Sequence, residues 1–320
     1  MYILSICIPT FNRPQQLKRL LNDLAPQIND DVEILIRDDS DNELTKKVVD
    51  LFFKIETQKN IKYIKGKKIG VDAATLFLLE NARGKFIWFY GDDDQIEPGA
   101  VSYVLDILNK YPIDYIWINF SYGVNNTALP LNEDRYFRDN NEVLVLLGRS
   151  IGFLSSILIK REKALLYLAL AKQNIYGFAF AVLIPVLGIL KAENKLFLIS
   201  KPLVINNPTT HEEIKLITNN DGVIKNDGFY VYGVYLKNVL IIFEENFDKN
   251  SLRKFIKKNF RQTWMGMVVG YCGEFDTPKG KIIQMIKHYW TYPEIIVPIT
   301  LLLMPRKLVN YMYLAYKKFW

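Results

Sequence analysis

Short, almost wholly apolar runs and longer amphipathic stretches take turns along the first 120 residues. The runs at 3–8, 32–36, 61–64, 86–90 and 115–120 are four to six residues long and rich in Ile, Val, Phe and Tyr, as buried strands are. Between them, Leu17, Leu20, Leu21 and Leu24, and then Leu44, Val48, Leu51 and Phe52, recur at the spacing of one helix face. Further helices are expected over 72–82 and 99–109. Strand, helix and strand in succession are the signature of crossover connections, which build a mostly parallel sheet with helices on its faces. The α/β class follows, with FIWFY (86–90) at the sheet centre. Beyond residue 121 the rhythm loosens into an Asn- and Asp-rich loop (123–141), a short helix (142–148) and FLSSILIKRE (153–162) as strand into helix. Helical character is then expected through 162–191, a strand over 196–205, and helices over 229–245 and 252–271. At 320 residues the chain suits one large domain or a domain with an appendage.

The net charge of +7 is unevenly distributed. Residues 253–320 hold 12 Lys or Arg against three acids, whereas the rest of the chain holds 29 against 31. An acid-balanced body with a basic, aromatic end implies that the end meets an anionic surface. Trp and Tyr among Lys and short apolar stretches suit a bilayer interface better than a nucleic acid, the competing reading being an ordinary helical subdomain with these aromatics as its core. The longest uncharged apolar run, 295–304, is ten residues with Pro298 inside it, short of the roughly 20 that a spanning helix needs. Two cysteines (Cys7, Cys272) and two histidines (His211, His288) offer no soft-metal cage, so any metal is expected to be a hard cation held by oxygen. The opening run has no basic segment before it and no small-residue cleavage site, so a cytoplasmic location is expected.

In a parallel sheet, ligands collect at the carboxyl ends of the strands. PTFNR (9–13), RDDSD (37–41), residues 65–70 and GDDD (91–94) all stand at such ends. Adjacent carboxylates repel, so three in a row at the mouth of a buried strand need a divalent cation or hydrogen bonds to offset them. Mg2+ and Mn2+ take oxygen ligands and commonly join carboxylates to substrate phosphates. The competing reading of each pair is a solvated acidic turn with helix-capping aspartates.

The order CIPTFNR, ILIRDDSD, Ile69 with Gly70, and ARGKFIWFYGDDDQIEPG resembles the family 2 glycosyltransferases of GT-A fold, over about residues 3–110. FLSSILIKR and KPLVI are similar to the abequosyltransferase-like members, which add sugars to lipid-linked O-antigen units. The resemblance implies a GT-A sheet flanked by helices. Residues 1–120 would form its nucleotide-sugar half, 121–250 its acceptor half, and 251–320 a helical, membrane-associating region. It also implies a UDP-, CDP- or dTDP-linked sugar donor, Mn2+ or Mg2+, and a glycan or lipid-linked glycan acceptor. The setting it implies is cell-surface polysaccharide synthesis at the inner face of the cytoplasmic membrane.

Carried over by position, Pro9, Thr10 and Phe11 line the base pocket, Phe11 by stacking, and Asp38 accepts a hydrogen from a pyrimidine. Gly70 keeps the place of the family's glycine, and Asp72 contacts the donor sugar. Asp92 meets the ribose and Asp93 is the principal metal ligand, while Asp94 either orients these groups or reaches the metal through water. Arg13 either meets the diphosphate or is a surface charge; Lys65, Lys67 and Lys68 add positive charge nearby.

The chain departs from the family pattern at three places. Gly91 replaces the first aspartate of the usual motif, and Thr75 and Leu76 replace a customary Arg and Asn. NIYGFAFAVLIP (174–185) has no carboxylate where inverting members carry their general base. The acids left for that role are Glu212 and Glu213 in PTTHEEIK, with His211 beside them as a further metal ligand or a surface residue. Without a base, a retaining transfer follows. The alternatives are a non-catalytic glycan- or nucleotide-binding protein on the same fold, or a nucleotidyltransferase. The second would be expected to show a Gly-rich phosphate loop after the first strand, which PTFNRP is not.

Overall fold

A computed structural model describes residues 2–55, 60–122, 126–137, 139–175, 181–192, 196–207, 247–258, 283, 286–287, 290 and 296–319. The first half follows the alternation: β1 (Leu4–Thr10), α1 (Pro14–Leu24), β2 (Val32–Asp38), α2 (Leu44–Ile55), β3 (Ile61–Lys65), α3 (Val71–Asn81), β4 (Phe86–Phe89), β5 (Gln95–Ile96), α4 (Ala100–Lys110) and β6 (Tyr115–Ser121). Then come β7 (Arg135–Phe137), α5 (Asn140–Leu147), β8 (Ile157–Lys160), α6 (Arg161–Leu165), α7 (Leu168–Gln173), α8 (Leu183–Ala192) and β9 (Leu196–Ile205). Helical residues 249–258 (α9) precede α10 (Ile296–Leu303) and α11 (Arg306–Phe319).

Among the described residues one sheet runs β3-β2-β1-β4-β8-β6-β9-β5, with β7 on β9. Its first four strands are parallel, as crossover connections require. β1 and β2 are buried along their whole length, and so is β4. Strands covered on both faces read as continuous apolar runs for this reason. α1 covers one face with Leu17, Leu20, Leu21 and Leu24, all fully buried, and truncating any one of them to Ala should cost about 2–5 kcal/mol.

The second half is mixed. β8 lies between β4 and β6 and is antiparallel to both, whereas β6 and β9 are parallel. The Asn- and Asp-rich stretch contains β7, which pairs antiparallel with β9, and β5 pairs antiparallel with the other end of β9. At two and three residues, β5 and β7 are too short to show a period in the sequence. The sheet is continuous across residue 120, since Phe120 pairs with Val204 and β4 pairs with β8. The helix expected over 229–245 lies outside the described residues, as does 259–271 of the one expected over 252–271. α9 docks on α5: Leu252, Phe255 and Ile256 are buried, and Lys258 Nζ donates to the carbonyls of Val145 at 3.3 Å and Leu146 at 3.2 Å. A cation is well placed there, against the negative end of the helix dipole.

Candidate functional site

The chain runs outward from β1 to β2 and β3, then returns past β1 to β4, so the carboxyl ends of β1 and β4 lie together where the strand order reverses. Such a reversal opens a crevice at the strand ends. Thr10 closes β1 and Gly91–Asp94 follow β4. Thr10 Oγ1 donates to Asp92 Oδ2 at 2.6 Å. Arg13 Nη1 donates to Asp92 Oδ1 at 2.9 Å and to Asp93 Oδ2 at 2.8 Å. Asp92 is thus sealed, its side chain 6% exposed, whereas that of Asp93 is 24% exposed.

Sequence reasoning missed two residues that complete this turn. Ser155 Oγ donates to Asp94 Oδ2 at 2.5 Å and accepts the Gly91 N–H at 2.8 Å, while Trp88 Nε1 holds the Ser155 carbonyl at 2.8 Å. Asn207 Nδ2 donates to the Asp93 carbonyl at 3.3 Å and to Gln95 Oε1 at 3.1 Å. Two serines inside the apolar FLSSILIKR were the available signal for Ser155; Asn207 had none. A Cβ at Gly91 would stand 3.1 Å from carboxylate oxygens of both Asp93 and Asp94, which accounts for the smallest side chain at this position.

The electrostatics follow from crowding. Burial pushes the Asp92 carboxyl up to about 6, against Arg13 and Thr10 and with help from Asp93. Burial and then Asp93 push Asp94 up to about 8, although Ser155 and Asn207 oppose this. Burial pulls the Arg13 guanidinium down, but Asp92 and Asp93 outweigh it and leave it raised. The turn therefore carries more carboxylate than Arg13 offsets.

A second cluster seals the end of β2. Asp38 has no exposed surface. Its Oδ1 accepts the Ser40 N–H at 2.8 Å and the Ser40 hydroxyl; its Oδ2 accepts the Tyr63 hydroxyl at 2.5 Å and Lys65 Nζ at 3.2 Å. Asp39 accepts Arg37 Nε at 2.9 Å and the Ile69 N–H at 3.1 Å, straps the 65–70 loop to β2, and is held above the usual carboxylate range by burial. The loops after β1 and β2 are joined as well. Asn12 adopts φ 54°, a left-handed conformation that Asn tolerates better than most residues, and its N–H donates to Ser40 Oγ at 2.7 Å.

The other expected residues fall around these clusters. Pro9 is buried in β1, opposite Arg37 of β2. Phe11 is half-buried, with Lys68 Nζ 4.4 Å from its ring centroid. Gly70 has φ +84°, which explains the glycine before α3. Asp72, in the first turn of α3, is buried and accepts the Ala181 N–H at 2.9 Å, which ties α3 to the segment that enters α8. His211, Glu212 and Glu213 lie outside the described residues.

Among the described residues no cluster of three His, Cys, Asp or Glu is arranged to hold a metal ion by itself. A hard-oxygen turn with surplus carboxylate, of which Asp93 is the open member, nevertheless fits a dication that takes the rest of its ligands from phosphate and water.

Residues 5–163 match the model of the family described as Glycosyl transferase family 2. Abequosyltransferase RfbV of Salmonella typhimurium is 26% identical over 183 residues, 50% of this chain and 54% of its own length. The GalNAc(5)-diNAcBac-PP-undecaprenol beta-1,3-glucosyltransferase of Campylobacter jejuni is 33% identical over 109 residues, 33% of this chain and 35% of its own. The chain thus spans about half, or less, of the length of these curated relatives. Among solved structures, residues 1-349 of TarS from S. aureus, in complex with UDP-GlcNAc, superpose with a TM-score of 0.58 at 18% identity, covering 85% of this chain and 75% of that one. That likeness is one of fold, and it agrees with the GT-A architecture.

Proposed function

We propose, from the premise that residues 5–163 are a glycosyl transferase family 2 domain, that the protein moves a sugar from a nucleoside-diphosphate donor to an acceptor hydroxyl. The observation that carries this reading is the hydrogen-bonded Thr10–Asp92–Arg13–Asp93 cluster at the reversal of the sheet. In the transfer, the acceptor oxygen bonds to the anomeric carbon and the bond from that carbon to the diphosphate breaks. The electron pair leaves on the nucleoside diphosphate, and the hydroxyl proton passes to a base or to solvent.

In this reading Asp92, already fixed by Thr10 and Arg13, receives the ribose hydroxyls. Phe11 stacks on the base in place of Lys68, against a wall made by Pro9 and Thr10. Asp38 keeps that wall rigid, and a pyrimidine hydrogen takes the place of one of its present donors. Arg13 turns from Asp93 to the diphosphate. Gly70 shapes the mouth of the pocket, and Asp72 holds the donor-sugar side of it against the approach to α8. Asp93 would hold Mn2+ or Mg2+, with Asp94 orienting the turn through Ser155 and His211 as a further ligand. When bound, that ion offsets the charge on the departing diphosphate. Glu212 or Glu213 serves as the general base.

In this reading the donor is UDP-, CDP- or dTDP-linked. A lipid-linked glycan acceptor is supported by the Campylobacter relative, whose name includes a PP-undecaprenol glycan. Residues 1–120 and 121–250 are then the donor and acceptor halves, and 251–320 brings them to the inner face of the cytoplasmic membrane. The test is thermal stabilisation by UDP, CDP, dTDP and ADP, with Mn2+ and with EDTA, in the natural protein and in Asp93→Ala. Stabilisation by a pyrimidine nucleotide that needs both Mn2+ and Asp93 is expected; equal stabilisation by ADP, or in EDTA, would overturn the reading.

A further inference from the structure

In α10, Ile296, Ile299, Thr300 and Leu303 are exposed, at the i, i+3, i+4, i+7 spacing of one helix face; Ile296 is 62% and Leu303 80% exposed. α11 continues the pattern with Leu308, Tyr311 and Met312, Tyr311 being 73% exposed. On the neighbouring face of α11, Val309 and Tyr313 are buried and belong to the same core cluster as Phe247, Leu252 and Phe255. The last helices are therefore anchored on one side and bare and apolar on another.

Charge selects what covers the bare side. Arg306 and Lys307 are exposed at the joint between the two helices, and residues 253–320 carry 12 basic against three acidic groups. A second copy of the chain would bring the same positive charge to the same face. An anionic bilayer answers both features, with acyl chains at the level of the apolar stripe and phosphates at the level of the cations. Among the described residues no helix is long and apolar enough to cross a membrane.

We infer that α10 and α11 lie in the plane of an anionic membrane leaflet and bury Ile296, Ile299, Leu303, Leu308, Tyr311 and Met312 in it, while Val309 and Tyr313 keep them fixed to the body. The inference rests on the proposed lipid-linked acceptor for its purpose, but its test needs no turnover. The full chain is sedimented with phosphatidylglycerol and with phosphatidylcholine vesicles, alongside the triple variant Leu303→Asp, Leu308→Asp, Tyr311→Asp and the double variant Arg306→Glu, Lys307→Glu. Circular-dichroism melting checks that each is folded. Binding to phosphatidylglycerol should exceed binding to phosphatidylcholine by on the order of tenfold at low salt and weaken as salt is added. It should vanish in the triple variant and lose its salt dependence in the double one. Undiminished binding by the folded triple variant would overturn the inference, as would failure of the folded natural chain to bind at any salt. So would a dimer that the triple variant dissolves, which would make a second copy the occupant. Loss of nucleotide binding with vesicle binding intact would count against the transferase reading alone.

Discussion

The strand ends of the parallel half and the last two helices depart from the ordinary placement of residues in opposite directions. At the ends of β2 and β4, carboxylates are inside: Asp38 is fully buried, and Asp39, Asp92 and Asp94 nearly so. On α10 and α11, Leu303 and Tyr311 are outside. Each departure is costly for an isolated chain, and each is matched by chemistry of the complementary kind. The buried acids are held by Arg13, Lys65 and hydroxyl donors and open at Asp93, as a site for a charged ligand should be. The exposed apolar stripe is bordered by cations, as a surface that leaves water for a charged interface should be. On the two proposed readings, the contrast is between polar groups that take up a small ligand and apolar groups that take up an extended surface.

The sharpest way to break this comparison is Asp93→Asn. Turnover with a nucleotide sugar should fall by about three decades while the melting temperature stays put, since the residue is half-open and in a turn. Full turnover would mean that the acidic turn is only structural. Stability gives the next effect. Trp88→Ala, which empties the sheet centre and releases Ser155, and Asp38→Ala, which strands Lys65, Tyr63 and Ser40, should each cost about 3–5 kcal/mol in urea unfolding. A loss below about 1 kcal/mol in Asp38→Ala would show that its four donors find other partners.

A smaller effect concerns Cys7 in β1. Burial, and after it Glu33, hold its thiol well above the usual range, with Arg161 opposing. In a Cys272→Ser background, alkylation of the native protein should therefore stay at least about tenfold slower than that of an ordinary thiol throughout roughly pH 7 to pH 9. Alkylation as fast as that of an ordinary thiol would mean that β1 opens to solvent. The smallest change is expected at the other pole of the comparison: Leu303→Ser and Tyr311→Ser should alter unfolding free energy by no more than about 0.5 kcal/mol without vesicles. A larger loss would show that these side chains are covered by protein and would weaken the membrane reading.

Much of the first half was legible because its signals are local. The spacing of Leu17, Leu20, Leu21 and Leu24 fixes a helix face whatever lies beneath it, and all four are buried where the period puts them. The unbroken FIWFY run likewise marks a strand covered on both sides, and the aspartates after it mark a strand end. The site was legible as a set of motifs and not as a set of bonds. Asp38 read as a base-reading group, and the structure adds the donors that a pyrimidine would replace, Ser40, Tyr63 and Lys65, which occupy both its oxygens. Arg13 read as a diphosphate contact or a surface charge, and it bridges Asp92 and Asp93.

The sequence by itself determined the α/β alternation, the helix faces, the strand-end carboxylates and the basic, aromatic end of the chain. Each of these is set by neighbours within a few residues, through backbone geometry and side-chain polarity. Only the tertiary structure decided that β8 enters antiparallel between β4 and β6, that Ser155 meets Asp94 and that Ala181 meets Asp72. Those partners lie 61 and 109 residues apart. Which polar groups meet at such separations depends on the path by which the sheet brings the chain back, and no local period records that path.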